Sequence, residues 1–204
     1  MLDDKGFDLW ASGYDQSVIE CEEENKYPFA GYRKVLDAVY RGIRMTQGIR
    51  VLDMGFGTGT LLKKLYDEGY TVSGLDFSEK MLDIAKQKMP LARLLRHDIA
   101  DGIPKDWADE RFDSIVCTYA VHHLPYLRQT ALIREMLRHL APGGRLLIGD
   151  IAFDTLKDRE TCRARFLRDW DDEEYYPVQE MLQKDFPQVR FEKQSLCAGV
   201  FIFE

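Results

Sequence analysis

Basic residues are in the minority: 28 Lys and Arg stand against 35 Asp and Glu, a formal net charge of −7 over 204 residues. Phosphate binding needs a basic face, so no nucleic-acid partner is expected. Long apolar runs are missing as well. No stretch reaches the about 18 apolar residues of a membrane-spanning helix, so no membrane partner is expected. The first residues, Met1-Leu2-Asp3-Asp4, are acidic and polar, unlike a secretory signal. Cysteine is sparse: Cys21, Cys117, Cys162 and Cys197 are scattered without C-x-x-C spacing. That argues against disulfides and zinc, and for reduced thiols in a cytoplasmic protein. Internal repeats and low-complexity linkers are also absent.

What remains is globular. Hydrophobic residues make up 45% and charged residues 31%, an ordinary composition for one domain with a sizeable core. The chain is organised around Val51-Leu-Asp53-Met-Gly55-Phe-Gly57-Thr-Gly59-Thr60. Ile49 to Met54 reads as a short buried strand. Leu61, Leu62 and Leu65 then fall on one helical face, with Lys63, Lys64, Asp67 and Glu68 on the other. A strand that turns into a helix across Gly55, Gly57 and Gly59 admits φ > 0 and close ligand approach. The helix start offers free N–H groups and a positive dipole end. This is a nucleotide-type ligand loop. The glycines run G-x-G-x-G, with Thr60 where the dinucleotide fingerprint G-x-G-x-x-G has its third glycine.

The rest of the chain alternates strand and helix. Thr71 to Asp76 reads as a second strand, with Ser78 as N-cap of a helix carrying Met81, Leu82, Ala85 and Met89 that Pro90 closes. Arg93 to His97 is a third strand and Phe112 to Thr118 a fourth. Ile133, Met136, Leu137 and Leu140 stripe a helix, and Pro142-Gly143-Gly144 breaks the chain before a fifth strand, Arg145 to Gly149, ending at Asp150. Residues 154–174 read as charged and helical, with a solvated acidic run over 169–174. Pro177 stands where a further helix opens. Val189 to Ser195 and Gly199 to Phe203 are too close for a crossover, so they form an antiparallel hairpin. Such alternation gives a parallel α/β sheet with helices on both faces. Ligands then sit at the carboxyl ends of the strands near the switch point, strand 1.

An acidic strand residue followed by G-x-G-x-G, here Asp53 and Gly55 to Gly59, resembles motif I of the class I S-adenosylmethionine (SAM)-dependent methyltransferases. Trp10-Ala-x-x-Tyr14-Asp15, Thr118-Tyr-Ala-x-His-His-Leu124, Ala141-Pro-Gly-Gly144 and Glu174-Tyr-Tyr176 extend the resemblance over almost the whole chain, closest to the small bacterial YrrT-type methyltransferases. It implies a doubly wound, Rossmann-like, seven-stranded sheet of order 3-2-1-4-5-7-6 with strand 7 antiparallel. One domain spans residues 1–204, with a helical lid and leading helix over 3–46 and an insert over 154–176. SAM is the implied cofactor and S-adenosylhomocysteine (SAH) its product. Its implied contacts are Tyr14, Arg33, Asp53, Gly55, Gly57, Gly59, Asp76, Phe77, Asp98, Ile99 and Cys117. Asp76 would accept from the ribose hydroxyls and Asp98 from the adenine amino group, with Ile99 on the ring. Tyr14 packs either over the methionine part or in the core. Arg33 meets the carboxylate or solvent.

The catalytic candidates are His122, His123, Tyr119 and Asp150. Either histidine can act as general base, since imidazole titrates near neutrality, or serve structural hydrogen bonds. Neighbouring side chains diverge on a strand or helix, so no metal site is expected there. No N/D-P-P-Y phrase follows strand 4, where Cys117-Thr-Tyr-Ala120 stands, so the acceptor is expected to be a small molecule. Tyr14, Tyr119, His122, Asp150, Tyr175 and Tyr176 are its candidate neighbours. The competing readings are a SAM-binding protein without methyl transfer and an NAD-dependent oxidoreductase. The oligomeric state is left open.

Overall fold

A computed structural model describes residues 26–204. Trp10, Tyr14, Cys21 and the lid segment as far as residue 25 lie outside the described residues. The remainder begins with helix α1, Tyr32–Arg44, which buries Val35, Val39 and Ile43 along one stripe.

Seven strands follow in one sheet of order β3-β2-β1-β4-β5-β7-β6. They are β1 (Arg50–Met54), β2 (Thr71–Asp76), β3 (Arg93–Arg96), β4 (Phe112–Thr118), β5 (Leu140–Ile151), β6 (Arg190–Lys193) and β7 (Ala198–Phe203). The first five are mutually parallel; β7 runs antiparallel to both β5 and β6. Helices α2 (Thr60–Asp67), α3 (Glu79–Lys88) and α4 (Tyr126–Arg138) make the crossovers, with α5 (Leu156–Arg165) and α6 (Gln179–Asp185) before the terminal hairpin.

Alternation along the central strands splits the core into two layers. Val51, Val116 and Leu147 face α1, α2 and α3, packing with Val39, Leu62 and Ala85. Their neighbours Leu52, Ile115 and Leu146 face the other way, onto Ile133 and Met136 of α4 and the fully buried Trp107. Each fully buried aliphatic side chain contributes roughly 1.5–3 kcal/mol. These layers hold the carboxyl ends of β1 to β5 level with one another.

Three boundaries differ from the sequence reading. Pro142-Gly143-Gly144 does not end the run before β5. The strand extends back to Leu140 and absorbs the glycines as a register shift opposite Phe112 and Ser114. The helix expected to continue to residue 174 stops at Arg165, and Pro177 does not open α6, which begins at Gln179. Residues 175–178 are instead drawn out along the end of β5. Phe153 N–H donates to Pro177 O at 3.1 Å and Gln179 N–H to Phe153 O at 2.9 Å. These tertiary hydrogen bonds satisfy backbone groups that a longer helix would have used itself.

Candidate functional site

The β1–α2 turn forms the floor of the site. Gly55 and Gly57 have φ of 83° and 56°, the left-handed region that glycine enters without penalty. A Cβ on Gly55 would lie 2.7 Å from Ala120 Cβ, whereas one on Gly57 would meet nothing within 4 Å. Gly55 is therefore required by packing, and Gly57 faces open space. Asp76 shapes this turn from the end of β2: its carboxylate accepts from Gly57 N–H at 2.8 Å and Ser78 N–H at 2.9 Å. Ser78 in turn caps α3 through Met81 N–H.

Asp53 sits beneath the turn, 1% exposed, and its Oδ1 has no hydrogen-bond partner. Burial, reinforced by the negative charge of Asp76, pushes its pKa up to about 8. Buried polar atoms in folded proteins are nearly always paired, so this bare carboxylate oxygen on a cavity wall marks a place for a ligand.

Above the turn lies a cavity of about 1160 Å³. One side is built from the ends of β1, β2 and β3: Asp53, Asp76, Phe77, Asp98 and Ile99. Asp98 caps the short turn Ile99–Asp101 by accepting from Ala100 N–H at 2.8 Å. Phe29, Tyr32 and Tyr119 form an aromatic wall, with Tyr119 ring centroids 5.8 Å from Phe29 and 4.9 Å from Tyr32. Tyr119 holds φ at 51°, a conformation that costs a non-glycine residue about 1–3 kcal/mol and clusters at functional sites.

The other side is built from the end of β4 and from residues 169–176. Asp150, fully buried at the end of β5, accepts from Val121 N–H (3.1 Å), His122 N–H (3.2 Å) and Ile151 N–H (2.7 Å). It also holds His122 Nδ1 at 2.5 Å. Burial works against the His122 imidazolium, but Asp150 outweighs it with help from Glu174 and Asp171, so the histidine pKa is raised. His123 Nδ1 stands 3.0 Å from both Glu174 oxygens. The Tyr27 and Tyr176 hydroxyls are hydrogen-bonded, and Trp170 stacks on Tyr27 with centroids 5.2 Å apart.

Two sequence readings are corrected here. The divergence expected of adjacent histidines fails, because Val121–His123 is a tight 3₁₀ turn that brings the two rings to 4.0 Å. His122, His123 and Glu174 thus form a group able to hold a metal ion. Nor is the acidic run simply solvated: Asp169, Asp171 and Glu174 line the cavity, because the segment folds back and Tyr175 N–H donates to His122 O at 2.8 Å.

The cavity wall therefore gathers Asp53, Gly55, Gly57, Asp76, Phe77, Asp98, Ile99, Tyr119, His122, His123 and Tyr176. Gly59 is not on it; its Cβ would press on Met89, the residue that follows α3, at 2.8 Å. Cys117 is fully buried in the core, one residue short of the wall that starts at Thr118. Asp150 stands behind His122, and Tyr175 points outward, 46% exposed. Arg33 lies in an adjoining depression with Lys34, Thr60 and Leu61. The sequence reading missed Arg96 and His97, which line the cavity immediately before Asp98. Their place at the end of β3 was the available signal.

Comparison with known proteins decides what this cavity belongs to. The pattern of the family described as "Methyltransferase domain" matches residues 51–144. An uncharacterized methyltransferase of Geobacillus thermodenitrificans is 32% identical over 97% of this chain and 92% of its own length. The chain belongs to the class I SAM-dependent methyltransferases. YrrT of Bacillus subtilis, also an uncharacterized methyltransferase, is 32% identical over 93% of this chain and 91% of its own. Among solved structures, the DhpI–SAH complex superposes with a TM-score of 0.70 at 18% identity, covering 98% of this chain and 93% of that one. Magnesium protoporphyrin IX methyltransferase from Synechocystis with bound SAH gives 0.66 at 19%, covering 85% and 83%. At those identities the two structures speak for the fold. As a methyltransferase of this class the chain uses SAM as methyl donor, and the oxidoreductase alternative is set aside.

Proposed function

We propose that the chain methylates a small molecule, held against residues 118–124 and 169–176 while SAM occupies the opposite side of the same cavity. The observation that supports this best is the cavity itself. Its about 1160 Å³ exceeds the roughly 300–1,000 Å³ of a typical small-ligand pocket, so it has room for a cofactor together with a compact acceptor. The net charge of −7 speaks against a polyanionic acceptor. The Synechocystis relative in fold is named for a small-molecule acceptor, a metalloporphyrin.

The residues present fit SAM. Asp53 offers a buried carboxylate oxygen without a partner to a cationic part of the cofactor. Gly57 leaves the turn open where a side chain would fill it. Asp76 would accept from the ribose hydroxyls, and Asp98 with Ile99 would border the adenine; all three line the cavity. SAM supplies a methyl group on a positively charged sulfur that departs as a neutral thioether. The protein's share is orientation and proximity. The aromatic wall of Phe29, Tyr32 and Tyr119 excludes water and presents ring faces that favour a nearby cation. Asp150 fixes the His122 ring, so one imidazole edge is held rigidly at the acceptor side.

Incubation with methyl-labelled SAM and a panel of metabolites, read by mass spectrometry, tests the proposal. The expected result is SAH together with a labelled small molecule. Label appearing only in protein or nucleic acid would contradict it.

A further inference from the structure

We propose that His122, His123 and Glu174 form a divalent transition-metal site on the acceptor side of the cavity, which recruits an acceptor through a hydroxyl or thiol. The inference rests on the methyl-transfer reading of the cavity.

One ligand atom from each of the three residues lies within 4.8 Å of the other two. Tetrahedral metal–nitrogen and metal–oxygen bonds of about 2.0–2.2 Å place ligand atoms roughly 3.3 Å apart, so closure needs small side-chain adjustments. The backbone is already locked for it, since Tyr175 N–H donates to His122 O and ties Glu174 to the histidine turn. His123 Nδ1 is equidistant, at 3.0 Å, from both Glu174 oxygens, the spacing of a proton-sharing pair that a cation can enter.

The second observation lies behind His122. Metal-ligating histidines almost always donate their other ring N–H to a carboxylate or carbonyl, which fixes tautomer and ring orientation. His122 Nδ1 is held in this way by Asp150, itself fully buried and anchored by three backbone N–H groups. This directs a proton to Nδ1 and leaves Nε2 as the nitrogen with a lone pair.

Two imidazoles and one carboxylate suit zinc and its neighbours rather than calcium or magnesium. Three protein ligands leave a coordination position open, and all three residues line the cavity. Two neutral imidazoles and one carboxylate leave a divalent ion with one positive charge, which an anionic acceptor atom neutralises. A hydroxyl or thiol coordinated there gives up its proton to solvent at lower pH than in water, exposing the lone pair that methyl transfer requires.

The test is titration of chelator-treated full-length protein with cobalt(II), followed by zinc competition against a chromogenic chelator. One equivalent of cobalt is expected, with visible bands of nitrogen and oxygen ligation and no thiolate charge transfer. His123→Ala and Glu174→Gln should each weaken binding at least about tenfold, and Asp150→Asn by about 10–100-fold, with folding checked by thermal melts. Equal affinity in the wild type and both ligand variants, or a thiolate band, would overturn the site. SAH is titrated into the same wild-type samples. SAH binding without metal binding refutes the metal site alone, whereas absent SAH binding refutes the methyl-transfer reading on which it rests.

Discussion

Asp53 carries the most quantitative prediction. Its pKa stands at about 8 in the ligand-free protein because it is buried and faces Asp76. If a cationic part of SAM is held by the ionised carboxylate, binding must first remove the proton. At pH 7 that costs about 1.4 kcal/mol, and at pH 6 about 2.7 kcal/mol, at roughly 1.36 kcal/mol per pH unit. The affinity for SAM should therefore rise about tenfold per pH unit between pH 6 and 8 and then level off. Calorimetry at pH 7 in buffers of different ionisation enthalpy should count close to one proton released per SAM bound. Asp53→Asn keeps the shape but cannot ionise, so both the slope and the proton release attributable to this residue should vanish. Comparison with this variant also subtracts the titration of SAM's own amino group. The same shift has a stability sign. An acid whose folded pKa is raised favours the folded state below its unfolded pKa near 3.9, and that advantage is lost as pH climbs to about 8. Ligand-free Asp53→Asn should thus gain in Tm relative to wild type as pH increases from 5 to 8. Identical proton counts and pH slopes in the two proteins would refute the assignment of Asp53 to a cation.

Other substitutions probe neighbouring parts of the site. Asp76→Ala removes a charged acceptor, each such hydrogen bond being worth roughly 1.5–3 kcal/mol, so SAH affinity should drop about 10- to 150-fold in calorimetry. Because Asp76 also holds Gly57 and Ser78 N–H, its Tm should fall too. Gly57→Ala places a methyl in open cavity space at φ 56°, and left-handed backbone costs an L-residue about 1–2 kcal/mol. Its Tm should decrease modestly while SAH affinity collapses, as measured by paired melts and titrations. Trp170→Ala deletes the ring stacked on Tyr27; hydrogen exchange over residues 166–178 should accelerate while exchange in β4 and β5 stays unchanged.

Local patterns carried most of the fold. β2 and β4 occupy the spans their apolar runs predict, and Ser78 caps α3 as its position suggests. Those features depend on neighbours in sequence. The β5 boundary and the end of α5 escaped because tertiary partners decided them: Phe112 and Ser114 set the register of the former, and the sheet end captures residues 175–178 after the latter. Along β1 to β3, strand ends are fixed by topology, so Asp53, Asp76 and Asp98 can be placed on the cavity wall by counting along the chain. The acceptor side was harder. His123 and Glu174 meet across a separation of 51 residues, and no periodicity within a charged run tells that Glu174 folds inward. The sequence marks Asp150 as a candidate, but only the structure shows that it stands behind His122 and positions it.

SAM is proposed to bind along the ends of β1, β2 and β3 with the acceptor opposite. A crystal structure with SAH bound tests it most directly. The ribose hydroxyls should lie on Asp76, the adenine between Asp98 and Ile99, the amino-acid end beside Asp53 and Gly57, and the sulfur should turn toward His122 and Tyr119. SAH bound elsewhere, or with its sulfur facing away from residues 119–123, would contradict it.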